Sequence, residues 1–145
     1  MRFNIAAVLC AALILAGCNS TVLERGSRLK GERNEVVEAS IIPGHQLTWG
    51  PFIGVDGHCR KIGQARASIV QQPRLGTAKV LQLDGEIVFA DGQERSECNG
   101  IPARGTSVRY RPKPGNFGND QFKFRLVFPD REVRDITINI HIPRE

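Results

Sequence analysis

The sequence predicts an all-β chain, folded as an antiparallel sandwich or barrel, and three observations carry that expectation. Two runs near the C-terminus alternate with a period of two. Phe122, Phe124, Leu126 and Phe128 share one face with Lys123 and Arg125 opposite, while Ile136, Ile138, Ile140 and Ile142 share one face with Asp135, Thr137, Asn139 and His141 opposite. Short runs rich in Val, Ile, Phe and Thr recur along the chain, punctuated by glycine, proline and Asp-Gly pairs. No long stretch carries the apolar spacing of a helix. A sheet with one buried and one wet face follows, and it must cover its apolar side with another sheet or close on itself.

The first element is an export signal: Arg2, an apolar stretch from Phe3 to Leu15, then the small residues Ala16 and Gly17. Its end, Leu15-Ala16-Gly17-Cys18, resembles the processing site of bacterial lipoproteins. That resemblance implies a diacylglycerol on the Cys18 thiol, cleavage after Gly17, palmitate in the mature chain, and a signal peptide over residues 1–17. A membrane-spanning helix needs about 20 apolar residues, and Asn19-Ser20-Thr21 cuts this stretch short. Two or three acyl chains, at about 0.8 kcal/mol per buried methylene, anchor a protein stably. In enterobacterial lipoproteins an Asp after the lipidated Cys favours the inner membrane, so Asn19 implies the outer one. The expected location is the cell envelope, with the membrane as a partner through the lipid.

Residues 18–35 are read as the lipidated N-terminus and a linker, because Glu24, Arg25, Arg28, Lys30, Glu32, Arg33 and Glu35 leave few apolar side chains to bury. A single β domain is expected over 36–145. Its strands are read as Val36 to Ile42, Gln46 to Ile53, Ala65 to Val70, Ala78 to Leu83, Glu86 to Ala90, Ser107 to Arg111, Gln121 to Phe128 and Arg134 to Ile142. Asp84-Gly85 and Asp91-Gly92 suit tight hairpins, the first a two-residue turn, since glycine takes a positive φ without steric penalty.

Cysteine usage and charge narrow the function. Of four cysteines, Cys10 leaves with the signal and Cys18 is acylated. Cys59 and Cys98 remain in an oxidising compartment, where a disulfide is the default. It closes a loop of roughly 40 residues, to which the chain-entropy model assigns about 4 kcal/mol. A metal site from Cys59, Cys98, His58 and His45 is the alternative, disfavoured because structural zinc ligands come in close pairs. The net charge is +5, one lower once Arg2 leaves, with arginine in excess of lysine. That suits anionic envelope polymers as well as plain solubility. An exported chain with no recognition helix or interleaved aromatic and basic motif is not expected to bind nucleic acid.

The stretch Pro73-Arg74-Leu75-Gly76, then Tyr110-Arg111-Pro112, then Gly118-Asn119-Asp120-Gln121-Phe122 resembles the bacterial Ig-like, cadherin-like domains, whose pattern is P-x-x-G, Y-x-P and G-x-D-x-F. The resemblance covers about half the chain, from Pro73 to Ile142. It implies an antiparallel β-sandwich of an exported protein serving as spacer, stalk or adhesion module. It also implies that Tyr110 and Phe122 are inward core residues, that Pro112 ends its strand, and that Gly118 and Asp120 shape a turn. Trp49 precedes both Cys59 and Cys98, so the antibody-type arrangement is not expected. Asp56, Asp84, Asp91 and Asp120 stand apart in sequence, so no calcium, other metal or cofactor is expected.

Nucleophilic catalysis needs a Ser or Cys beside a base and an oxyanion hole. No G-x-S-x-G element occurs, and His45, His58 and His141 read as turn, bridge-adjacent and wet-face residues. No catalytic residue and no small-molecule substrate is expected. Arg109, Arg111, Lys113, Lys123 and Arg125 form a candidate basic surface patch, one face or two depending on the sheets their strands join. The expectation is a lipid-anchored envelope lipoprotein that binds or supports, with an envelope polymer or another envelope protein as partner. The alternative is an inhibitor of a periplasmic or host hydrolase presenting the loop Gly50 to Gly63 or Glu94 to Arg104. An enzyme with a dispersed site is the third reading.

Overall fold

The period-two runs do what their spacing requires: each buries its apolar face against a second sheet. The computed structural model describes residues 32–89 and 95–144. The signal 1–17, Cys18 and the start of the tether lie outside the described residues, as do Ala90, Asp91-Gly92 and Glu94. The strands are β1 (Glu32–Ser40), β2 (Leu47–Val55), β3 (Lys61–Gln64), β4 (Arg66–Gln71), β5 (Gly76–Glu86), β6 (Pro102–Pro112), β7 (Gly118–Val127) and β8 (Val133–Ile142), with a 3₁₀ turn at Ser96–Cys98. They form two four-stranded sheets, ordered β1-β8-β7-β4 and β3-β2-β6-β5.

Between the sheets lie Val108 and Tyr110 of β6, Phe122, Phe124 and Leu126 of β7, and Ile136, Ile138, Ile140 and Ile142 of β8. Aromatic rings fill the centre. Tyr110 stacks on Phe122 with centroids 5.8 Å apart, and Trp49 meets the same ring edge-on at 5.7 Å. Phe128 is half-buried at the rim, where the Arg134 guanidinium sits 4.9 Å from its centroid.

Several expectations are corrected. The chain reaches strand by Glu32, so the last four residues assigned to the linker belong to β1. That strand is a sheet edge where charged side chains on the outward positions carry no penalty. β1 runs parallel to β8, so the first sheet is mixed and not wholly antiparallel. No hairpin forms at Asp84-Gly85: β5 passes straight through, pairing Asp84 with Arg104 and Gly85 with Ala103, and Glu86 is its last residue. The stretch Gly50 to Gly63, read as a loop, contains the end of β2 and all of β3 but its last residue, Gln64.

The last two corrections share a cause. A Cβ on Gly85 would come within 2.8 Å of Pro51 Cδ, and one on Gly63 within 2.9 Å of Pro129 Cγ. These glycines let a proline from elsewhere in the chain lie against a strand, which is a close-approach role and not a turn.

A disulfide joins Cys59 to Cys98, with Cα atoms 5.3 Å apart. It ties the β2–β3 turn to the 3₁₀ turn before β6, over a second small cluster of Ile53, Val55, Ile87, Cys98 and Ala103. The Asp56 carboxylate shapes that turn, accepting the backbone N–H groups of Arg60 at 3.0 Å and His58 at 2.9 Å, and these bonds hold its carboxyl below the usual range. With both sulfurs bonded to each other, the metal alternative at Cys59 and Cys98 loses its ligands.

The three pieces of the Ig-like pattern meet at one carboxylate. Asp120 lies within β7, opposite Ile140, and not in a turn. It is 5 % exposed, and its oxygens accept the Tyr110 hydroxyl and the backbone N–H groups of Arg74, Leu75 and Gln121, each at 2.9 Å. Four donors compensate a charge that burial would otherwise penalise heavily. Gly76 must lack a side chain, because a Cβ there would fall 2.4 Å from the Tyr110 ring. Pro112, the last residue of β6, pairs with Gly76 and closes the assembly.

Burial first, and the Asp120 carboxylate second, push the Tyr110 phenol well above its ordinary value of 10.0. A pKa raised in the folded state gives stability that is complete below the unfolded value and fades as pH climbs above about 10, where the unfolded chain ionises and the native one does not. Tyr110→Phe should cost about 1.5–3 kcal/mol at neutral pH, since the carboxylate loses a donor, and should flatten the alkaline loss seen in the parent. Urea unfolding against pH measures both effects. As Tyr110 is the sole tyrosine, its phenolate absorbance reports directly whether ionisation waits for unfolding.

Candidate functional site

Outward-facing side chains of the two sheets make two separate surfaces. The five candidate basic residues divide between them: Arg109 and Arg111 on β6 and Lys113 just after it belong to the second sheet, Lys123 and Arg125 on β7 to the first. Arg125 is held by its neighbours. Its Nε donates to Asp135 Oδ1 at 2.7 Å across the β7–β8 register, and Nη2 reaches Glu32 Oε1 at 3.0 Å. That bond to Arg125 keeps the Asp135 carboxyl below the ordinary carboxylate range.

On the second sheet Arg109 and Arg111 gain a partner that sequence proximity did not indicate. Lys79 of β5 stands directly opposite Arg109, with Thr48 of β2 on the other side and the Arg109 Nε 3.4 Å from the Thr48 hydroxyl. Gln46, Thr77, Lys79, Leu81, Arg109 and Arg111 line a hollow of about 210 Å³. Among the described residues no carboxylate lines it. Among the described residues the Lys79 and Arg111 heads have no hydrogen-bond or ion-pair partner. Like charges in direct cross-strand register are destabilising, by roughly 0.2–1 kcal/mol, and a bound anion would remove that cost. Lys79 was findable only by pairing β5 with β6, because it lies thirty residues from Arg109.

The outer face of the first sheet carries a larger cleft, of about 530 Å³. Gln121 and Asn139 stand opposite one another on its central strands, Glu38 on β1 flanks one side, and Gln71 with Arg74 flanks the other. Gln121 Nε2 donates to Asn139 Oδ1 at 2.8 Å, and Asn139 Nδ2 donates to Glu38 Oε1 at 2.6 Å. At one end His141 Nδ1 and Asn119 Oδ1 lie 2.9 Å apart. Among the described residues the side chains of Gln71 and Arg74 have no hydrogen-bond partner. In the sequence none of these polar residues except His141 was weighed for a functional role: Asn139 was a wet-face residue of its strand, and Arg74, Asn119 and Gln121 stood only at the variable positions of the Ig-like resemblance. Their convergence depends on the strand order.

The remaining histidines sit in turns: His45 Nδ1 lies 3.4 Å from the Pro43 carbonyl, and His58 donates its backbone N–H to Asp56. Of the two stretches considered for an inhibitor, the first is largely β2 and β3, the described part of the second holds the 3₁₀ turn and the start of β6, and the Cys59–Cys98 disulfide ties them. No family model matches the chain, and no curated protein matches it. Among solved structures, a 2,6-sialyltransferase of Photobacterium sp. JT-ISH-224, in a ternary complex with CMP and lactose, aligns over 78 % of this chain at 11 % identity and a TM-score of 0.33. The chain spans 18 % of that enzyme's length.

If Lys79 and Arg109 repel across the strands, Lys79→Glu replaces repulsion with attraction and should raise the unfolding free energy by about 0.5–1 kcal/mol. The urea midpoint measures it. An unchanged or lowered midpoint would mean that the two charges are already screened from one another.

Proposed function

We propose that this chain is a lipid-anchored envelope protein whose Ig-like sandwich makes non-catalytic contact with an anionic envelope polymer. The Ig-like reading is supported by strand order. β2, β6 and β5 adjoin as strands B, E and D of such sandwiches do, and β4, β7 and β8 adjoin as strands C, F and G do. The disulfide departs from the antibody arrangement, since it ties two turns of one sheet and does not bridge the sheets. Anchoring rests on Leu15-Ala16-Gly17-Cys18, with Asn19 favouring the outer membrane. The observation that carries the contact is the Lys79–Arg109 register with Arg111 beside it and no carboxylate in the hollow. A ligand bearing spaced phosphate or carboxylate groups would bridge these cations, and its binding would release counterions and weaken with salt.

Two substitutions test the two halves. Cys18→Ser should abolish palmitate labelling and release the chain from sedimented membranes; continued labelling and sedimentation would overturn the anchor. Charge reversal by Arg109→Glu with Arg111→Glu should lower capture on immobilised lipopolysaccharide by about tenfold or more at low salt, as expected for losing two charge-assisted contacts. Unchanged capture by a folded variant would overturn the anionic contact.

A further inference from the structure

We propose that the cleft on the outer face of the first sheet is a saccharide site, taking a neutral polyhydroxylated unit of a glycan chain. This site is independent of the anionic contact, because it lies on the opposite sheet.

The donor pattern is the first argument. Glu38 ends the hydrogen-bond chain by accepting from Asn139 Nδ2, so Asn139 presents its own Oδ1 to Gln121. The orientation of both amides follows. Among these lining residues the bonds leave one N–H on each amide, the Gln121 side-chain oxygen and the second Glu38 oxygen without a partner. The lining therefore offers both donors and acceptors. Vicinal hydroxyls, each able to donate one bond and accept others, match such an array, whereas a phosphate or carboxylate could use only the donors.

Charge is the second argument. Arg74 borders the cleft on one side and Glu38 on the other, and Asp120 at its wall is already covered by four donors, so a ligand of either net sign meets a like charge. Neutral ligands escape that conflict.

Size and continuity are the third. About 530 Å³ lies within the range of small-ligand clefts, roughly 300–1,000 Å³. One step further along the same strands, Thr137 follows Asn139 and Lys123 follows Gln121, and these two residues border a second hollow of about 180 Å³. Adjoining hollows along the strands suit consecutive units of a chain. The site is also rigid at its corner, since the Arg74 backbone N–H is fixed by Asp120 at 2.9 Å.

Isothermal titration of the full chain, held in a sugar-free zwitterionic detergent, tests the proposal with cellotetraose, chitotetraose and maltotetraose as probes. At least one should bind at millimolar concentration or tighter, with an affinity insensitive to salt. Gln121→Ala and Asn139→Ala should each weaken it by about 5–10-fold, the loss of one to two hydrogen bonds. Arg74→Ala, on an exposed corner, gives a further reading should either strand variant fail to keep its thermal midpoint. The proposal is overturned if none of the three probes binds at about tenfold above the millimolar range, or if binding survives unchanged in every folded variant. Capture of lipopolysaccharide by the other face is read separately, so failure here leaves that reading standing.

Discussion

The Asp120 carboxylate, shut away from water and covered by four donors, is the point on which both sheets and one crossing between them converge. Tyr110 comes from the second sheet and Asp120 from the first, while Arg74 and Leu75 come from the segment that leaves β4 in one sheet and enters β5 in the other. A buried charge tolerates no missing donor, so the loop, the tyrosine and the strand must arrive together or not at all. Further bonds lock the same corner: the Lys113 N–H and the Asn116 amide both donate to the Leu75 carbonyl, at 2.9 and 3.1 Å. The close approach of Gly76 to the Tyr110 ring then follows from geometry.

That buried point also orders the surface. In a strand, successive side chains face opposite sides, so pinning Tyr110 inward aims Arg109 and Arg111 outward together, and pinning Asp120 inward does the same for Asn119 and Gln121. The cationic hollow and the amide cleft are thus the outer sides of two strands whose inner sides share one hydrogen bond. Binding groups on strands held this way need little ordering when a ligand arrives. At the other end of the second sheet the Cys59–Cys98 bridge covers a small cluster that would be poorly held by its own apolar contacts.

How much of this was legible in the sequence follows a physical rule. Features set by local spacing were readable, the faces of β7 and β8 above all, while the pairing of Cys59 with Cys98 came by elimination and the inward role of Tyr110 from the Ig-like resemblance. Features set by a distant neighbour were not. Gly85 looked like a turn residue, and Gly63 like the end of a loop, because the prolines they accommodate, Pro51 and Pro129, are far along the chain. Asp120 looked like a turn residue for the same reason, since three of its four donors lie in other segments. Glu32 to Glu35 looked like linker because an edge strand tolerates charge that a central strand would not. Both candidate sites fall in this second class: Lys79 meets Arg109, Gln121 meets Asn139, and Asn139 meets Glu38, only through strand pairing.

The central claim, that Asp120 holds the two sheets and the crossing loop as one unit, is tested most directly by native-state hydrogen exchange at the Arg74 and Leu75 amides in the full chain and in Asp120→Ala. In the parent these two amides should exchange only through global unfolding, despite lying in a loop at the surface, and in the variant they should exchange by local opening while overall stability falls. Fast exchange of both amides in the parent, or unaltered rates in the variant, would contradict the account.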